Sequence, residues 1–227
     1  MALILNLETA TTNCSVSLAK DGEVISIREH NEMGYSHSEN LHVFIEKCLK
    51  DLEYCTQDLD AVAVSKGPGS YTGLRIGVSA AKGLCFALDI PLIAISTLES
   101  MASQLNIENG FIIPLLDARR LEVYSAVYNR ELKQVRETKV EEISEASFKA
   151  YSLNEKVFLV GNGATKCKPI LKNSNFSFVE DIVPSSKELA KLSFKAFKAQ
   201  NFENNAYFEP DYLKKFVAQK PKKSIIN

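Results

Sequence analysis

One segment restricts the fold of this chain more than any other: Ser65-Lys-Gly-Pro-Gly-Ser-Tyr-Thr-Gly-Leu-Arg-Ile-Gly77. It follows an apolar, strand-like stretch at 59–64 and opens a helix-like stretch that ends near Leu88. Glycine permits positive φ and close approach of another backbone, and proline fixes φ in the turn. Such a strand–turn–helix junction is typical of α/β proteins, which bind phosphates or build contacts there. The glycine spacing matches neither a P-loop nor a dinucleotide-binding fingerprint.

The helix after this turn is apolar or small around most of its circumference. A surface helix normally has one apolar face, so the pattern predicts burial on two sides. One side is its own sheet, and the other is a second layer or another subunit. Gly73, Gly77 and Ala80 form a stripe through which a neighbouring backbone can approach. The residues alone leave two interpretations open, a core helix within one domain and an interface helix.

The preceding helix carries a second apolar face. Ser36-x-x-Glu39 is a capping-box pattern that predicts a helix through about residue 53. His37 lies within the apolar face, whereas His42 is about 140° away around the helix. Two histidines in this arrangement cannot easily share a metal ion. We therefore expect a packed or interface His37 and a half-exposed His42.

Composition describes an ordinary globular chain of 227 residues, with a net charge of −1 and 24% charged residues. This balance gives no general attraction to nucleic acid. Lysines crowd the C-terminus, where they predict a solvated tail or an RNA contact: Lys214, Lys215, Lys220, Lys222 and Lys223. The five scattered cysteines form no Cys-x-x-Cys pair and indicate reduced thiols in the cytoplasm. We expect no signal peptide and no membrane association.

The chain contains an internal duplication. The strand Leu3–Glu8 ends on a carboxylate, and a polar turn and two hairpin strands follow it; Phe111–Asp117 begins the same order again. Each half then supplies a helix and a late strand that exits through glycine. Two βββαβα units predict an α/β protein of the actin-like (ASKHA, sugar-kinase-like) fold. We expect one lobe at 1–105 and a second at 106–227, with helices at 185–198 in the second lobe and at 210–218 returning to the first.

In that fold the first hairpin of each lobe faces a cleft and handles phosphate or Mg²⁺. The positions that match here are Glu8, Thr9, Thr11, Asp117 and Arg119. They are weak candidates, because no glycine beside either carboxylate exposes the backbone N–H groups that a phosphate needs. An active small-molecule kinase or ATPase, with Glu8 and Asp117 around Mg²⁺, is the alternative function. A peptidase is disfavoured, because all three histidines lie within 30–42 and no nucleophile pairs with them.

Four segments together resemble the bacterial TsaB (YeaZ) family: residues 5–18, 37–41, 67–77 and 116–120. The resemblance is strong over about residues 1–130 and loose beyond. It implies a non-catalytic subunit in the threonylcarbamoylation of adenosine 37 in ANN-decoding tRNAs, paired with the catalytic TsaD and supporting recruitment of the ATPase TsaE. The short length and the lack of a His-x-x-x-His metal site separate this chain from TsaD. Glu8 stands where the family usually has Asp, and Leu121 where glycine is common.

The resemblance also implies a heterodimer with TsaD through the two first-lobe helices. The expected pairing residues are His37, Leu41, Phe44, Ile45, Gly73, Arg75, Gly77, Ala80, Lys82 and Leu84, with Arg75 and Lys82 as rim charges. Gly77→Leu should then block pairing, or unfold the chain if these residues pack only within the lobe. The same surface would also suit a homodimer when the chain is alone. We expect tRNA contact to be indirect or through the C-terminal lysines. We expect no cofactor to bind this chain independently, with ATP and metal in the partner subunits.

Overall fold

The structure is a computed structural model that describes residues 1–31 and 37–214. Its strands are β1 (Leu3–Glu8), β2 (Asn13–Lys20), β3 (Glu23–Asn31), β4 (Ala61–Gly67), β5 (Leu92–Ser96), β6 (Phe111–Asp117), β7 (Glu122–Asn129), β8 (Gln134–Glu142), β9 (Val157–Val160) and β10 (Phe176–Val179). Its α-helices are α1 (His37–Lys50), α2 (Tyr71–Leu88), α3 (Thr97–Ala102), α4 (Asn162–Cys167) and α5 (Ser186–Lys198). None of the helices within the described ranges has the length and apolar character needed to span a bilayer.

The two halves build two sheets of the same topology. The first has the order β3-β2-β1-β4-β5, and the second β10-β9-β6-β7-β8. The leading strand of each half pairs antiparallel with the next strand and parallel with the late strand, β1 with β4 and β6 with β9. The predicted α/β fold of duplicated units is therefore confirmed.

Helices cover both faces of the first sheet. Side chains alternate along a strand, so Leu5 and Val62 point to one face, and Ile4 and Ala63 to the other. The first set packs under α1 and α2. The second set packs under α5. Central parallel strands need this double cover, because both of their faces are apolar.

Two helices each pack on the sheet of the other half of the chain. α5 was expected in the second lobe, but it packs on the first sheet through Leu189. In return α3, from the first half, packs Leu98 and Met101 against β6 and β7 of the second sheet. The expected placement of 185–198 is thus wrong, because the free face of β1 and β4 needs the apolar stripe of α5. The boundary near 105 falls in the turn before β6 and stays a prediction.

The second half also lacks the helix predicted between its third and fourth strands. Residues 143–156 form successive turns instead. Ser147 N donates to Ser144 O at 2.9 Å, Ser144 N donates to Ser147 Oγ at 3.0 Å, and Phe148 adopts a φ of 62°. Phe148 is buried in the second core, where a helix would have placed an apolar side chain.

The end of the described chain returns to the first lobe, but as an irregular segment with a turn at 205–207. Residues 203–214, here named the C-terminal strap, contain no helix. Their backbone bonds go to the first lobe, from Glu203 N to Leu92 O and from Asp211 N to Lys66 O. The prediction of a helix is therefore wrong for residues 210–214. The rest of that prediction, at 215–218, lies outside the described residues, as do Ser36 of the capping box and the lysines from 215 onward.

Candidate functional site

The glycines of the 65–77 segment receive the first hairpin of the same chain. A Cβ at Gly73 would lie 2.1 Å from Thr9 O, and a Cβ at Gly77 would lie 2.3 Å from Thr9 Oγ1. Ser70 N donates to Ala10 O at 2.6 Å. The backbone that packs against the glycine stripe thus belongs to the same chain. The expectation that Gly73 and Gly77 contact a partner is therefore wrong, since both lie against Thr9 of the same chain. Of the two outcomes expected for Gly77→Leu, impaired folding is the one that this packing favours.

Three predicted pairing residues of α1 are also internal. Leu41 and Ile45 are buried in the first core. His37 is buried, its Nε2 lies 2.7 Å from Thr11 O, and desolvation lowers its pKa. These three side chains position the hairpin and the sheet, and they do not face outward.

The outward side of α2 nevertheless carries exposed apolar and small residues beside the exposed Arg75 and Ser79. Phe86 is 84% exposed. A Cβ placed on Gly83 would meet no atom within 4 Å. Predicted residues Ala80 and Leu84, with Phe44 of α1, are only partly buried against the core. We name the outer face of α2 as Ile76, Ala80, Gly83, Phe86 and Ala87. Phe86 was not among the predicted pairing residues, because on the helix it lies between the polar residues Arg75 and Ser79.

The two predicted rim charges differ in environment. Lys82 Nζ donates to Phe208 O at 2.9 Å and to Ala206 O at 3.3 Å, so it anchors the C-terminal strap. Arg75 is exposed and donates to Tyr71 Oη at 3.1 Å. Only Arg75 is therefore available at the rim.

A cleft of about 960 Å³ lies between the lobes. Both hairpin turns and the strap line it, and Thr11, Asp117 and Arg119 of the sequence candidates contribute. Glu8 and Thr9 are fully buried and do not line it. The expectation that both acidic hairpin tips face the cleft is therefore wrong for the first tip.

Glu8 is held inside the first lobe. Its Oε1 accepts from Ala10 N at 2.6 Å and from Ser65 Oγ at 2.8 Å, while no hydrogen bond reaches Oε2 within the described residues. Desolvation by burial raises its pKa to about 7. A carboxyl in this setting supports the turn and the strand pairing, and cannot reach a cation in the cleft.

Asp117 does line the cleft, but Lys166 neutralises it. Lys166 Nζ donates to Asp117 Oδ1 at 2.5 Å and to Arg120 O at 3.1 Å. Arg119 N donates to the same carboxylate at 2.7 Å. The Lys166 ammonium therefore lies where a divalent cation would otherwise bind the Asp117 carboxylate. No group of three or more potential His, Cys, Asp or Glu ligands occurs in residues 1–31 and 37–214.

Comparisons with known proteins find two related groups, both named for tRNA threonylcarbamoyladenosine or its transfer. A family model described as "tRNA N6-adenosine threonylcarbamoyltransferase" (TsaD) matches residues 27–226. The tRNA threonylcarbamoyladenosine biosynthesis protein TsaB of Escherichia coli is 30% identical over 229 residues, which cover 96% of each chain. The chain belongs to the TsaB (YeaZ) family. The TsaB of Bacillus subtilis is 38% identical over 135 residues, a match that spans 58% of each of the two chains.

The fold of this TsaB-family chain also has a solved counterpart. YeaZ from Pseudomonas aeruginosa superposes with a TM-score of 0.82 at 24% identity, covering 94% of this chain and all of that one. A tRNA N6-adenosine threonylcarbamoyltransferase of Pediococcus pentosaceus is 37% identical over 110 residues, but these span only 32% of its length. This relative is thus matched over about a third of its length, whereas the E. coli TsaB is matched over 96%.

Two long-range contacts at the candidate site of this TsaB-family chain had no signal in the sequence. Lys166 meets Asp117 across 49 positions, and Lys82 meets Phe208 across 126. Neither lysine lies in a motif, so only the folded chain reveals what they bind.

Proposed function

We propose that this chain is the non-catalytic subunit of a tRNA threonylcarbamoylation assembly. It pairs as a heterodimer with TsaD, which transfers the threonylcarbamoyl group to N6 of adenosine 37 in ANN-decoding tRNAs. The assembly then recruits TsaE, and ATP and metal belong to the partner subunits. The observation that carries the proposal is the outer face of α2, which is apolar and open.

This face suits a packed helix of a partner. Burying an exposed Phe86 contributes about 1.5–3 kcal/mol, so a partner that covers it gains affinity. Gly83 and Ala87 beside it are small enough for a second helix to approach at about 8–10 Å between axes. The same face suits a second copy of this chain when TsaD is absent, because closed dimers form by self-complementary patches.

The cleft supports a role without chemistry of its own. Glu8 is enclosed, and Asp117 already has an ammonium partner. An active kinase or ATPase is therefore the weaker alternative. Addition of Mg-ATP should give neither phosphate release nor a thermal shift, whereas turnover by the purified chain would restore that alternative.

The pairing is tested with Gly83→Leu. The new side chain enters open space in the free chain, so the fold should persist. It should weaken association with TsaD from the same organism by about tenfold to a hundredfold, because overpacking costs about 1–3 kcal/mol. Size-exclusion chromatography with light scattering measures the complex. Lys191→Leu is the control, since it adds an exposed leucine on α5, on the opposite face of the sheet. Equal association by wild type and both variants would overturn the proposal.

A further inference from the structure

The turn between β6 and β7 has an unusual backbone. Arg119 and Arg120 adopt φ values of 70° and 54°, successive left-handed conformations that side chains disfavour. The turn is held by Lys166, which binds Arg120 O, and by the bond from Arg119 N to Asp117. Glycine would occupy these positions without strain, so two arginines here point to a role for their side chains.

Both arginines supply positive charge to the cleft. The carboxylates among its lining residues are already ion-paired, Asp117 with Lys166, Glu122 with Lys214 at 2.5 Å, and Asp211 with Lys66 at 3.5 Å. Arg119 and Arg120 line the same cleft with exposed side chains. Neither guanidinium makes a hydrogen bond or ion pair within residues 1–31 and 37–214. With the pairing Lys66 and Lys166 counted beside Arg119, Arg120 and Lys214, cations at the cleft outnumber its carboxylates Asp117, Glu122 and Asp211.

Aromatic rings lie beside these cations. Tyr71 and Tyr212 line the cleft with ring centroids 4.8 Å apart, and Tyr124 joins them from β7. Arginines bind phosphate oxygens through charge-assisted hydrogen bonds. Tyrosine rings stack on unpaired bases without sequence preference. Cations and aromatic rings along one groove are the combination that binds single-stranded nucleic acid.

We propose that the cleft between the lobes binds a single-stranded RNA segment, with backbone phosphates on Arg119 and Arg120. The inference rests on the proposed function in one respect, the choice of RNA as the source of the phosphates. The arginines act as binding residues and perform no chemistry. They lie on the second lobe, and α2 reaches the cleft only through its first residues, Tyr71 and Thr72, well before Gly83 and Phe86 of the outer face. RNA binding and pairing with TsaD are therefore separable.

Fluorescence anisotropy of the full chain alone tests the site, with a labelled single-stranded RNA of about 12 nucleotides as the probe. Arg119→Gln and Arg120→Gln should each weaken binding about tenfold and lower the slope of log affinity against log salt by about 0.7. Arg130→Gln is the matched control, since Arg130 follows the far end of β7 and pairs with Glu131 at 2.5 Å. It should bind RNA as the wild type does.

A second variant separates binding from folding. Arg120→Gly relieves the left-handed strain, so its melting temperature should not fall, while RNA affinity should drop as in Arg120→Gln. Competition with ATP and with inorganic phosphate should displace RNA only at concentrations far above that of unlabelled RNA. The inference would be overturned if the wild type did not bind RNA, or if Arg119→Gln and Arg130→Gln bound it with equal affinity. Efficient displacement of RNA by ATP would also overturn it. TsaD pairing by the same variants reports on the proposed function independently.

Discussion

At the scale of single residues, two glycines of α2 have opposite surroundings. Gly77 faces Thr9 at a distance that excludes a Cβ, and Gly83 faces open space. Gly77→Ala should therefore lower the free energy of unfolding by about 1–3 kcal/mol, through overpacking. Gly83→Ala should raise it by about 0.5–1 kcal/mol, because alanine favours a helix interior over glycine. Urea titration measures both. If both substitutions changed the free energy of unfolding in the same direction, this assignment of the α2 faces would be contradicted.

Glu8 makes stability depend on pH. Its pKa is raised from 4.5 to about 7 by burial, so the folded chain keeps a proton that the unfolded chain releases. The free energy of unfolding should therefore decline by about 3 kcal/mol as pH rises from about 4.5 to 7, and then level off. In Glu8→Gln this decline should be smaller. Unfolding in urea at pH 5 and pH 8 gives the comparison.

Two half-buried acids act in the same direction, since desolvation also raises the pKa of Glu99 and of Glu188. Part of the wild-type decline should therefore remain in Glu8→Gln. An equal decline in the two proteins would show that Glu8 is not the group responsible.

At the scale of elements, the C-terminal strap depends on Lys82. Its ammonium binds the carbonyls of Ala206 and Phe208, and Asn205 Nδ2 donates back to Lys82 O at 3.2 Å. Lys82→Gln should lower the free energy of unfolding by about 1 kcal/mol and speed amide hydrogen exchange over 204–214. Hydrogen-exchange mass spectrometry measures the second effect. Lys47→Gln, on the exposed side of α1, should leave exchange in the strap unchanged.

At the scale of the whole molecule, the exchange of α3 and α5 joins the halves. Ser15 Oγ and Ser186 Oγ lie 2.6 Å apart, and Ser193 Oγ donates to Asn6 at 2.6 Å. A fragment of residues 1–105 would lose α5 and expose one apolar face of its sheet. It should therefore bind a hydrophobic dye and lack a cooperative melt, and co-expression with 106–227 should restore both properties. A cooperative melt of the isolated fragment would show an independent lobe.

Much of the fold was predictable because it rests on local patterns. Alternation and a carboxylate-ended strand predicted both leading hairpins, and Ser185 correctly marked the start of α5. The turns at 143–156 were not predictable, because Phe148 is buried through a positive φ that has no sequence signature. In the cleft, Asp117 was found from its strand, but the enclosure of Glu8 depends on Ser65 of another strand.

By itself the sequence determined the order of strands and turns, the duplication and the family, since these follow from neighbouring residues and their spacing. Only the tertiary structure decided which side of α2 is open, which charge meets Asp117, and which sheet α5 covers. Each of these depends on segments far apart in the chain, and a contact such as that of Lys166 with Asp117 exists only once the intervening strands have packed.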